Sequence, residues 1–516
     1  MLLFRRTWSL RELPSLVTII LFSALLMVRE FYPVFFSING MRLLVISAQA
    51  TVILMCLCFI RQVVVRVNPW VVIILGAWFS WIFISTILSE HPWQSLLRFV
   101  DIIISVLFVV ILAIYLSTLG SFWQQTMPLA LIIIPFVCLF YFTLAWLVVD
   151  NPRTYNWISE LPLFINIRHF GAAINLVLPL GFWFVFKENI KLKIFGYIYL
   201  SVCWAMLFWA GGRAPVLTSS LVLIFIILIR PSRVFILCAP FITGILISQL
   251  FAVDVPGMSI FRFIHYGVGE KSLDAISSGR VEIFTKSIQA WWDYSPLFGL
   301  GADAFRYINP PIYSPITHHP HNVMIELLLS FGIPGLFAPI TLFLIFCKQQ
   351  FAWFCKSGIR HRYNIEISLI TFLSILSGLA HAQLSGVLYL PYTTFIWATL
   401  MAISLSELIT ISPTSSASKN NLFWDWNILH AVMPLFLIII LFVLIAILEC
   451  IKSEQDQVSE QWLAFNKKYP IYLNIDRWLL KSVADENTQL TKELAKIGVD
   501  LSDIQQTYEN YLIEPH

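Results

Sequence analysis

About thirteen stretches of mostly apolar residues, each near 20 residues long, follow one another along this chain of 516 residues. A helix needs roughly 20 such residues to cross a bilayer, and it satisfies its backbone hydrogen bonds within the lipid. The pattern therefore predicts an all-α polytopic membrane protein with about 12–13 transmembrane helices. The expected spans are 13–32, 42–60, 69–88, 97–116, 127–149, 170–186, 194–210, 215–230, 233–252, 322–346, 365–388, 390–410 and 427–449.

The composition agrees with lipid as the main solvent of the chain. Only 12% of the residues are charged and 59% are hydrophobic, whereas a soluble domain carries about 25% charged residues. The net charge of +4 is too small to indicate nucleic acid as a partner. Membrane lipids are therefore the expected surroundings of the chain.

The basic residues indicate how the chain is oriented. When the N-terminus is placed on the cytoplasmic side, the inside connections hold about fifteen Lys and Arg, against about six in the short outside connections. This bias follows the positive-inside rule. We expect an N-terminal transmembrane region (1–252), an outside loop (253–321), a C-terminal transmembrane region (322–449) and an outside helical tail (450–516).

Residues 211–215, Gly-Gly-Arg-Ala-Pro, separate two apolar stretches on the outer side. The glycines allow a tight turn, and Pro215 suits the first turn of the next helix. Arg213 therefore lies at the membrane boundary almost without polar neighbours. It is either an anion-binding residue or an interfacial arginine that reaches the lipid headgroups.

Arg280 follows Ser-Ser-Gly and precedes a segment with apolar residues at helical spacing. The spacing predicts a helix over 281–294 that lies along the membrane surface, with Arg280 in its first turn. A helix N-terminus favours an anion, and an arginine adds bidentate phosphate binding. In isolation, the favoured interpretation of this pattern is an ordinary surface arginine on a re-entrant helix.

Three histidines lie within residues 318–321, directly before an apolar stretch. Pro320 interrupts them, no cysteine lies close, and the nearest acid is Glu326, so the spacing does not favour a metal site. His321 stands beside Asn322 at the start of a membrane helix. A neutral imidazole there is suited to take a proton from a hydroxyl near pH 7.

Each of these three signals is weak when it is taken alone. Together they place two cations and one base, in that order along the chain, on one side of the membrane. This combination suits a substrate with a pyrophosphate leaving group and a hydroxyl nucleophile, because the arginines would neutralise the charge that develops on the pyrophosphate.

Residues 321–336 resemble the hallmark of the O-antigen ligase and polymerase superfamily, in which a His-Asn pair opens a membrane helix and a Gly-x-x-Gly follows. The pair here is His321-Asn322, and the glycines are at 332 and 335. Arg213 in Gly-Gly-Arg-Ala resembles the family's arginine at the outer end of a middle helix. Residues 278–301, from Ser-Gly-Arg to Pro-Leu-Phe-Gly-Leu-Gly, resemble its periplasmic-loop segment.

The resemblance implies a GT-C-type glycosyltransferase of the bacterial inner membrane, with its active site and C-terminal tail in the periplasm. Such an enzyme takes a glycan from undecaprenyl diphosphate and uses neither a metal nor another cofactor. By position, His321 would be the catalytic base, and Arg213 and Arg280 would bind the diphosphate. The possible supporting residues are His319, Arg168, Asn322 and Glu326.

The family includes three classes of acceptor. A ligase attaches the glycan to lipid A–core, and we expect this activity first because it is common in the family. A protein O-oligosaccharyltransferase attaches it to Ser or Thr of a pilin or another exported protein, which the long tail favours. A polymerase attaches it to another lipid-linked repeat unit.

A flippase for the same lipid-linked glycan is the alternative outside the enzyme class. A flippase needs a polar path through the membrane, whereas the spanning stretches carry few ionisable residues, chiefly Asp101 and His381. The polar candidates cluster on one side, which favours an enzyme.

Overall fold

The computed structural model of the chain describes most of its first 412 residues. The described ranges are 12–31, 38–60, 64–65, 68–149, 151–155, 157, 161, 163–164, 166–253, 280–306, 319–356, 362–409 and 411–412. The expected stretch 427–449, the expected tail 450–516, the first part of the expected loop and His318 lie outside them.

Helices form nearly all of the described part. They are α1 (Leu13–Phe31), α2 (Ile38–Phe59), α3 (Pro69–Ile87), α4 (Pro92–Leu119), α5 (Ser121–Ala130), α6 (Ile133–Val148), α7 (Ile167–Val177), α8 (Gly181–Val185), α9 (Ile190–Ala210), α10 (Arg213–Ile229), α11 (Val234–Leu250), α12 (Arg280–Tyr294), α13 (Val323–Lys356), α14 (Arg362–Ala382) and α15 (Pro391–Leu408). Two strands of two residues each, Val64–Val65 and Ile411–Ser412, pair antiparallel.

The predicted fold class is confirmed: the chain is an all-α polytopic membrane protein. Within the described ranges, eight helical spans are long and apolar enough to cross a membrane, judged by length and composition, and three shorter helices are also apolar. Each of the twelve expected stretches up to residue 410 coincides with one or more helices. The helix count is therefore tested only as far as the described residues extend.

Several expected stretches differ in detail from the helices; 170–186, for example, is divided between α7 and α8. Residues 127–149 are split between α5 and α6, which meet at two turn residues. The stretch 365–388 stops being helical at Ala382, where a turn containing Gly386 leads into α15. Helix α4 begins five residues earlier than expected because Pro92 occupies its first turn.

By contacts the chain divides into two compact units, residues 1–305 with 319–437 and residues 306–318 with 438–516. All α-helices and both strands described above belong to the first unit. The outer loop expected over 253–321 therefore contributes α12 and the residues up to 305 to this unit. The boundaries of the four expected regions remain predictions.

Close helix packing in the first unit depends on small residues. Helix α11 runs along α9, and a Cβ on Gly244 would lie 2.4 Å from the Cβ of Trp204. Gly196 of α9 lies equally tightly against Phe184 of α8. Small residues at such contacts let the helix backbones approach, as is usual where lipid replaces water.

A buried ion cluster joins α2, α4 and the segment after α12. Nη1 of Arg42 lies 2.8 Å from Oδ2 of Asp303, and Nε of Arg42 lies 3.4 Å from Oδ2 of Asp101. Arg98 also pairs with Asp101. Arg42 is fully buried, and a charge at that depth is tolerated only when opposite charges compensate it.

The cluster corrects one expectation about the basic residues. Arg42 and Arg98 were expected in short outside connections, but they lie within α2 and α4 because both helices extend beyond the apolar stretches. Their charges are compensated by carboxylates, and the Arg42 side chain is fully buried while that of Arg98 is mostly buried. They therefore hold helices together and do not mark a loop.

Candidate active site

Arg213 is the first residue of α10. Gly211 closes α9 in the left-handed conformation, with φ of 68°, and Gly212 precedes the new helix. A Cβ on Gly212 would lie 2.9 Å from Cγ of Pro215. The two glycines thus allow the sharp turn that the sequence predicted, and the helix begins two residues before Pro215.

Arg280 is the first residue of α12, which confirms the helix predicted over 281–294. Ile283, Ser287 and Ala290 form the buried face of this helix. The face recurs every three to four residues, as an amphipathic helix requires. The packing of α12 against α13 fixes where Arg280 lies.

Residues 296–301 fill a break in α13. The helix is interrupted at Gly332, where φ is 68°, and Pro334 lacks the N–H that would bond the carbonyl of Ser330 in a continuous helix. The backbone N–H of Gly301 donates to that carbonyl at 2.9 Å instead. The hydroxyl of Ser85 donates to the same oxygen at 2.9 Å.

Two further backbone bonds complete this joint. The N–H of Leu300 donates to the carbonyl of Leu329 at 2.8 Å, and the N–H of Ile333 donates to the carbonyl of Pro296 at 3.3 Å. Backbone groups at membrane depth must be satisfied by protein. The Pro-Leu-Phe-Gly-Leu-Gly and Gly-x-x-Gly motifs are therefore two halves of one structural joint.

Asn322 caps the helix that follows His321. Its side-chain oxygen accepts hydrogen bonds from the backbone N–H groups of Met324 (2.9 Å) and Ile325 (3.0 Å). Its amide nitrogen donates to the carbonyl of Gln383 at 3.0 Å. The structure thus uses Asn322 as an N-cap and as a tether between α13 and the turn after α14.

Arg168 lies in the first turn of α7, a helix capped by Asn166. The side-chain oxygen of Asn166 accepts from the backbone N–H of Arg168 at 2.8 Å. Lower in the same helix, Oδ1 of Asn175 accepts hydrogen bonds from Thr218 and Ser219 of α10 and from Ser377 of α14. This buried polar contact fixes α7 against the helix that begins with Arg213.

Electrostatic interactions connect the four residues that the sequence proposed for chemistry. Burial lowers the pKa of His321 to about 3, and the positive charges of Arg168 and Arg280 act in the same direction. Burial also lowers the pKa of Arg280 to about 10, followed by repulsion from Arg168 and Arg213. Arg168, Arg213, Arg280 and His321 therefore lie near one another.

This cluster is a concentration of positive charge at helix N-termini. Arg168, Arg213 and Arg280 each lie in the first turn of a helix, and His321 directly precedes another. Among the described residues, no carboxylate lies within ion-pair distance of Arg168 or Arg280. Such an arrangement favours an anionic ligand, because the helix dipoles and the guanidinium groups attract the same charge.

The remaining supporting residues lie around a neighbouring cavity of about 50 Å³. Its walls include His319, Asn322 and Glu326, together with Arg98 and Tyr389. Oε2 of Glu326 is buried and has no hydrogen-bond partner within the described part of the chain. A volume of this size holds a few water molecules.

Sequence reasoning missed several residues beside the site. It did not identify Asp303, Tyr389 or Gly386, and it treated Arg42 and Arg98 only as charges of the outer connections. The sequence did carry a signal for Arg42 and Arg98, because an arginine within an apolar helix is expected to have a charged or polar partner. Nothing in the sequence indicated which carboxylate or aromatic ring would meet them.

Within the described ranges, no group of three or more His, Cys, Asp or Glu side chains is arranged to hold a metal ion. The site residues at hand are instead three arginines and an imidazole. Their chemistry suits the binding of a phosphate group and the transfer of a proton.

Comparison with known proteins gives a family match for one segment of the chain. Residues 198–340 match the family model described as O-antigen ligase, whereas the search of curated proteins finds no match. The matched segment contains Arg213, Arg280, His321 and both halves of the structural joint, while Arg168 precedes it. The match supports an enzyme of the glycosyltransferase or ligase type in general. Through residues 198–340, the chain is similar to the O-antigen ligase family.

Proposed function

We propose that this protein transfers a glycan from undecaprenyl diphosphate to an acceptor hydroxyl on the periplasmic side of the bacterial inner membrane. The acceptor in this proposal is lipid A–core, which makes the protein an O-antigen ligase. The donor, the acceptor and the orientation follow from the family resemblance and from the distribution of basic residues.

One observation carries the proposal: three arginines and one histidine converge at the N-termini of four helices. Arg168 and Arg213 repel Arg280, and Arg168 and Arg280 repel His321, as the lowered pKa values of Arg280 and His321 record. An anion bound between Arg168 and Arg280 would offset this repulsion. A diphosphate supplies that anion and also the leaving group of the reaction.

In the proposed reaction, the acceptor oxygen attacks the anomeric carbon of the donor sugar. The new glycosidic bond forms as the bond between that carbon and the diphosphate oxygen breaks, and both bonding electrons leave with the diphosphate. Arg213 and Arg280 stabilise the negative charge that develops there. His321 takes the hydroxyl proton, so that charge and atoms balance.

The low pKa of His321 has a consequence for the order of events. Burial and the charges of Arg168 and Arg280 keep the imidazole neutral but make it a weak base. A diphosphate bound between the arginines offsets their repulsion and raises the proton affinity of His321. The base therefore becomes effective when the donor is bound.

A flippase remains the competing proposal for the same lipid-linked glycan. It would require a polar path between the two membrane surfaces. The charges of Arg42, Asp101 and Asp303 are instead joined in buried ion pairs, which supports a site accessible from one side.

The test is transfer by the purified protein in detergent, with undecaprenyl-diphosphate glycan as donor and EDTA present. Lipid A–core, a pilin and a second lipid-linked repeat unit are offered separately. His321→Ala is expected to reduce the rate by about 10²–10⁴-fold, as loss of a general base does. Arg280→Ala is expected to reduce it by about 10²–10³-fold.

Lys286→Ala is the matched control, because Lys286 lies on the same helix with a half-exposed side chain paired to Glu282. It should transfer at the wild-type rate. Transfer to the pilin alone would reassign the acceptor and leave the mechanism intact. Full activity of His321→Ala, or no transfer to any acceptor, would contradict the proposed mechanism and favour the flippase.

A further inference from the structure

The backbone of His321 has an unusual conformation. Its φ is 57°, in the left-handed region that side chains other than glycine rarely adopt. Such a conformation persists only where surrounding contacts hold it, and it often marks a functional site. The residue that holds His321 therefore also sets the direction of its imidazole.

His319 is the residue whose contacts hold this conformation of His321. The backbone N–H of His321 donates a hydrogen bond to Nδ1 of His319 at 3.0 Å. The two imidazole rings meet edge to face, with their centroids 4.3 Å apart. Because Nδ1 of His319 accepts a hydrogen bond, a neutral His319 carries its proton on Nε2.

His319 is itself held between two residues of the turn that joins α14 to α15. Its ring lies 4.8 Å from the ring of Tyr389. On Gly386, an added Cβ would lie 2.3 Å from Nε2 and 2.4 Å from Cε1 of His319. Gly386 therefore leaves space that the histidine ring occupies, and a larger residue would displace that ring.

The turn that clamps His319 is anchored from two directions. Asn322 donates to the carbonyl of Gln383 in this turn. The Tyr389 ring lies 5.2 Å from the guanidinium carbon of Arg42 and 5.3 Å from that of Arg98. Both arginines belong to the buried ion cluster, so the clamp is connected to fixed parts of the membrane domain.

We propose that His319 is a positioning residue, clamped between Gly386 and Tyr389, that fixes the backbone and hence the imidazole direction of His321. The inference rests on the proposed function, since it concerns the residue proposed as base. His319 acts through His321 and takes no proton from the acceptor.

Three variants test this role. His319→Asn keeps an acceptor near the position of Nδ1 and should retain activity within about tenfold of wild type, whereas His319→Leu should lose about 100-fold in kcat. Gly386→Ala should lose a similar factor, because the cavity of about 50 Å³ beside His319 gives the displaced ring room. The KM for the donor should change less than kcat in all three.

Gly76→Ala is the matched control for Gly386→Ala. A Cβ on Gly76 meets no atom within 4 Å, so this variant should have wild-type activity. Thermal unfolding of each purified variant shows whether the chain is folded. If His319→Leu fails to fold, His319→Asn and Gly386→Ala still decide the matter.

The double variant His319→Leu with His321→Ala separates the two proposals. If His319 acts through His321, the leucine should cause no further loss once His321 has been removed. Wild-type kcat in His319→Leu, or equal losses in His319→Asn and His319→Leu, would overturn the positioning role. Full activity of His321→Ala would instead overturn the proposed function itself.

Discussion

At the residue scale, the charge around His321 determines how activity should depend on pH. The second-order constant kcat/KM reports the free enzyme, in which the pKa of His321 is lowered to about 3. The imidazole is neutral above that pKa, so kcat/KM should stay level from pH 8 down to about pH 5. An ordinary histidine would cause a loss near pH 6.5.

Arg168 provides the variant that checks this explanation. Its charge is the largest contribution after burial to the low pKa of His321. Arg168→Gln should therefore move the acidic limb of kcat/KM to higher pH, while burial keeps it below the position of an exposed histidine. The exposed Arg153, changed to Gln, is the control. An acidic limb near pH 6.5 in the wild type that Arg168→Gln leaves unmoved would refute the assignment.

Pairs of residues also show which contacts can be predicted from the sequence and which cannot. Asn322 next to His321 could be recognised as a helix start, because Asn is a preferred N-cap and the apolar stretch follows directly. The contact of Gly386 with His319 could not be recognised, since it depends on how a distant turn packs. The pair Arg42 and Asp303, separated by 261 positions, is hidden for the same reason.

At the element scale, the joint between residues 296–301 and α13 should be intolerant of side chains. Gly332 has φ of 68° and ψ of −166°, a combination that is essentially restricted to glycine. A Cβ there would lie 2.0 Å from the carbonyl oxygen of Leu297. Backbone strain and overpacking each cost about 1–3 kcal/mol, so Gly332→Ala should lower the stability of the fold by about 2–6 kcal/mol.

Thermal unfolding of the purified protein measures this effect. Gly76→Ala serves again as a control, because helical Gly76 has open space around it and alanine there should stabilise by about 0.5–1 kcal/mol. Equal melting temperatures for Gly332→Ala and wild type would show that the joint is not required for the fold. If Gly332→Ala lowers the melting temperature while α12 remains packed as in the wild type, the break in α13 is itself the part of the joint that does not tolerate a side chain.

The helices themselves were the most predictable elements. Bilayer thickness dictates their length, and the absence of water dictates that their backbone bonds close internally. The interruption of α13 was visible only as Gly332 and Pro334 in the sequence. Which residues fill the interruption depends on tertiary packing, because residues 296–301 lie outside α13 in the sequence and form hydrogen bonds with it.

At the scale of the whole molecule, the site residues lie at one end of the helices that carry them, at or just before the N-termini of α7, α10, α12 and α13. The connection between α3 and α4 lies at this end, because the hydroxyl of Ser89 donates to the carbonyl of Leu300 at 3.1 Å. The connection between α8 and α9 contains Lys187, is followed by Lys191 and Lys193 in the first turn of α9, and lies beyond the end of α7 that is opposite to Arg168. A one-sided transferase requires these two connections to face opposite sides of the membrane.

Labelling of single cysteines tests that orientation. Glu90 and Glu188 are both exposed, the first in the α3–α4 connection and the second in the α8–α9 connection. In a chain whose eight native cysteines are replaced, Glu90→Cys should react with a membrane-impermeant maleimide in intact spheroplasts. Glu188→Cys should react only after the membrane is permeabilised, because the positive-inside rule places it in the cytoplasm.

The reverse pattern would place the arginine cluster on the cytoplasmic face, where it could not act on an acceptor in the periplasm. Reaction of both variants without permeabilisation would exclude an odd number of crossings between the two connections. The outcome thus decides whether one face of this membrane domain holds all the proposed chemistry.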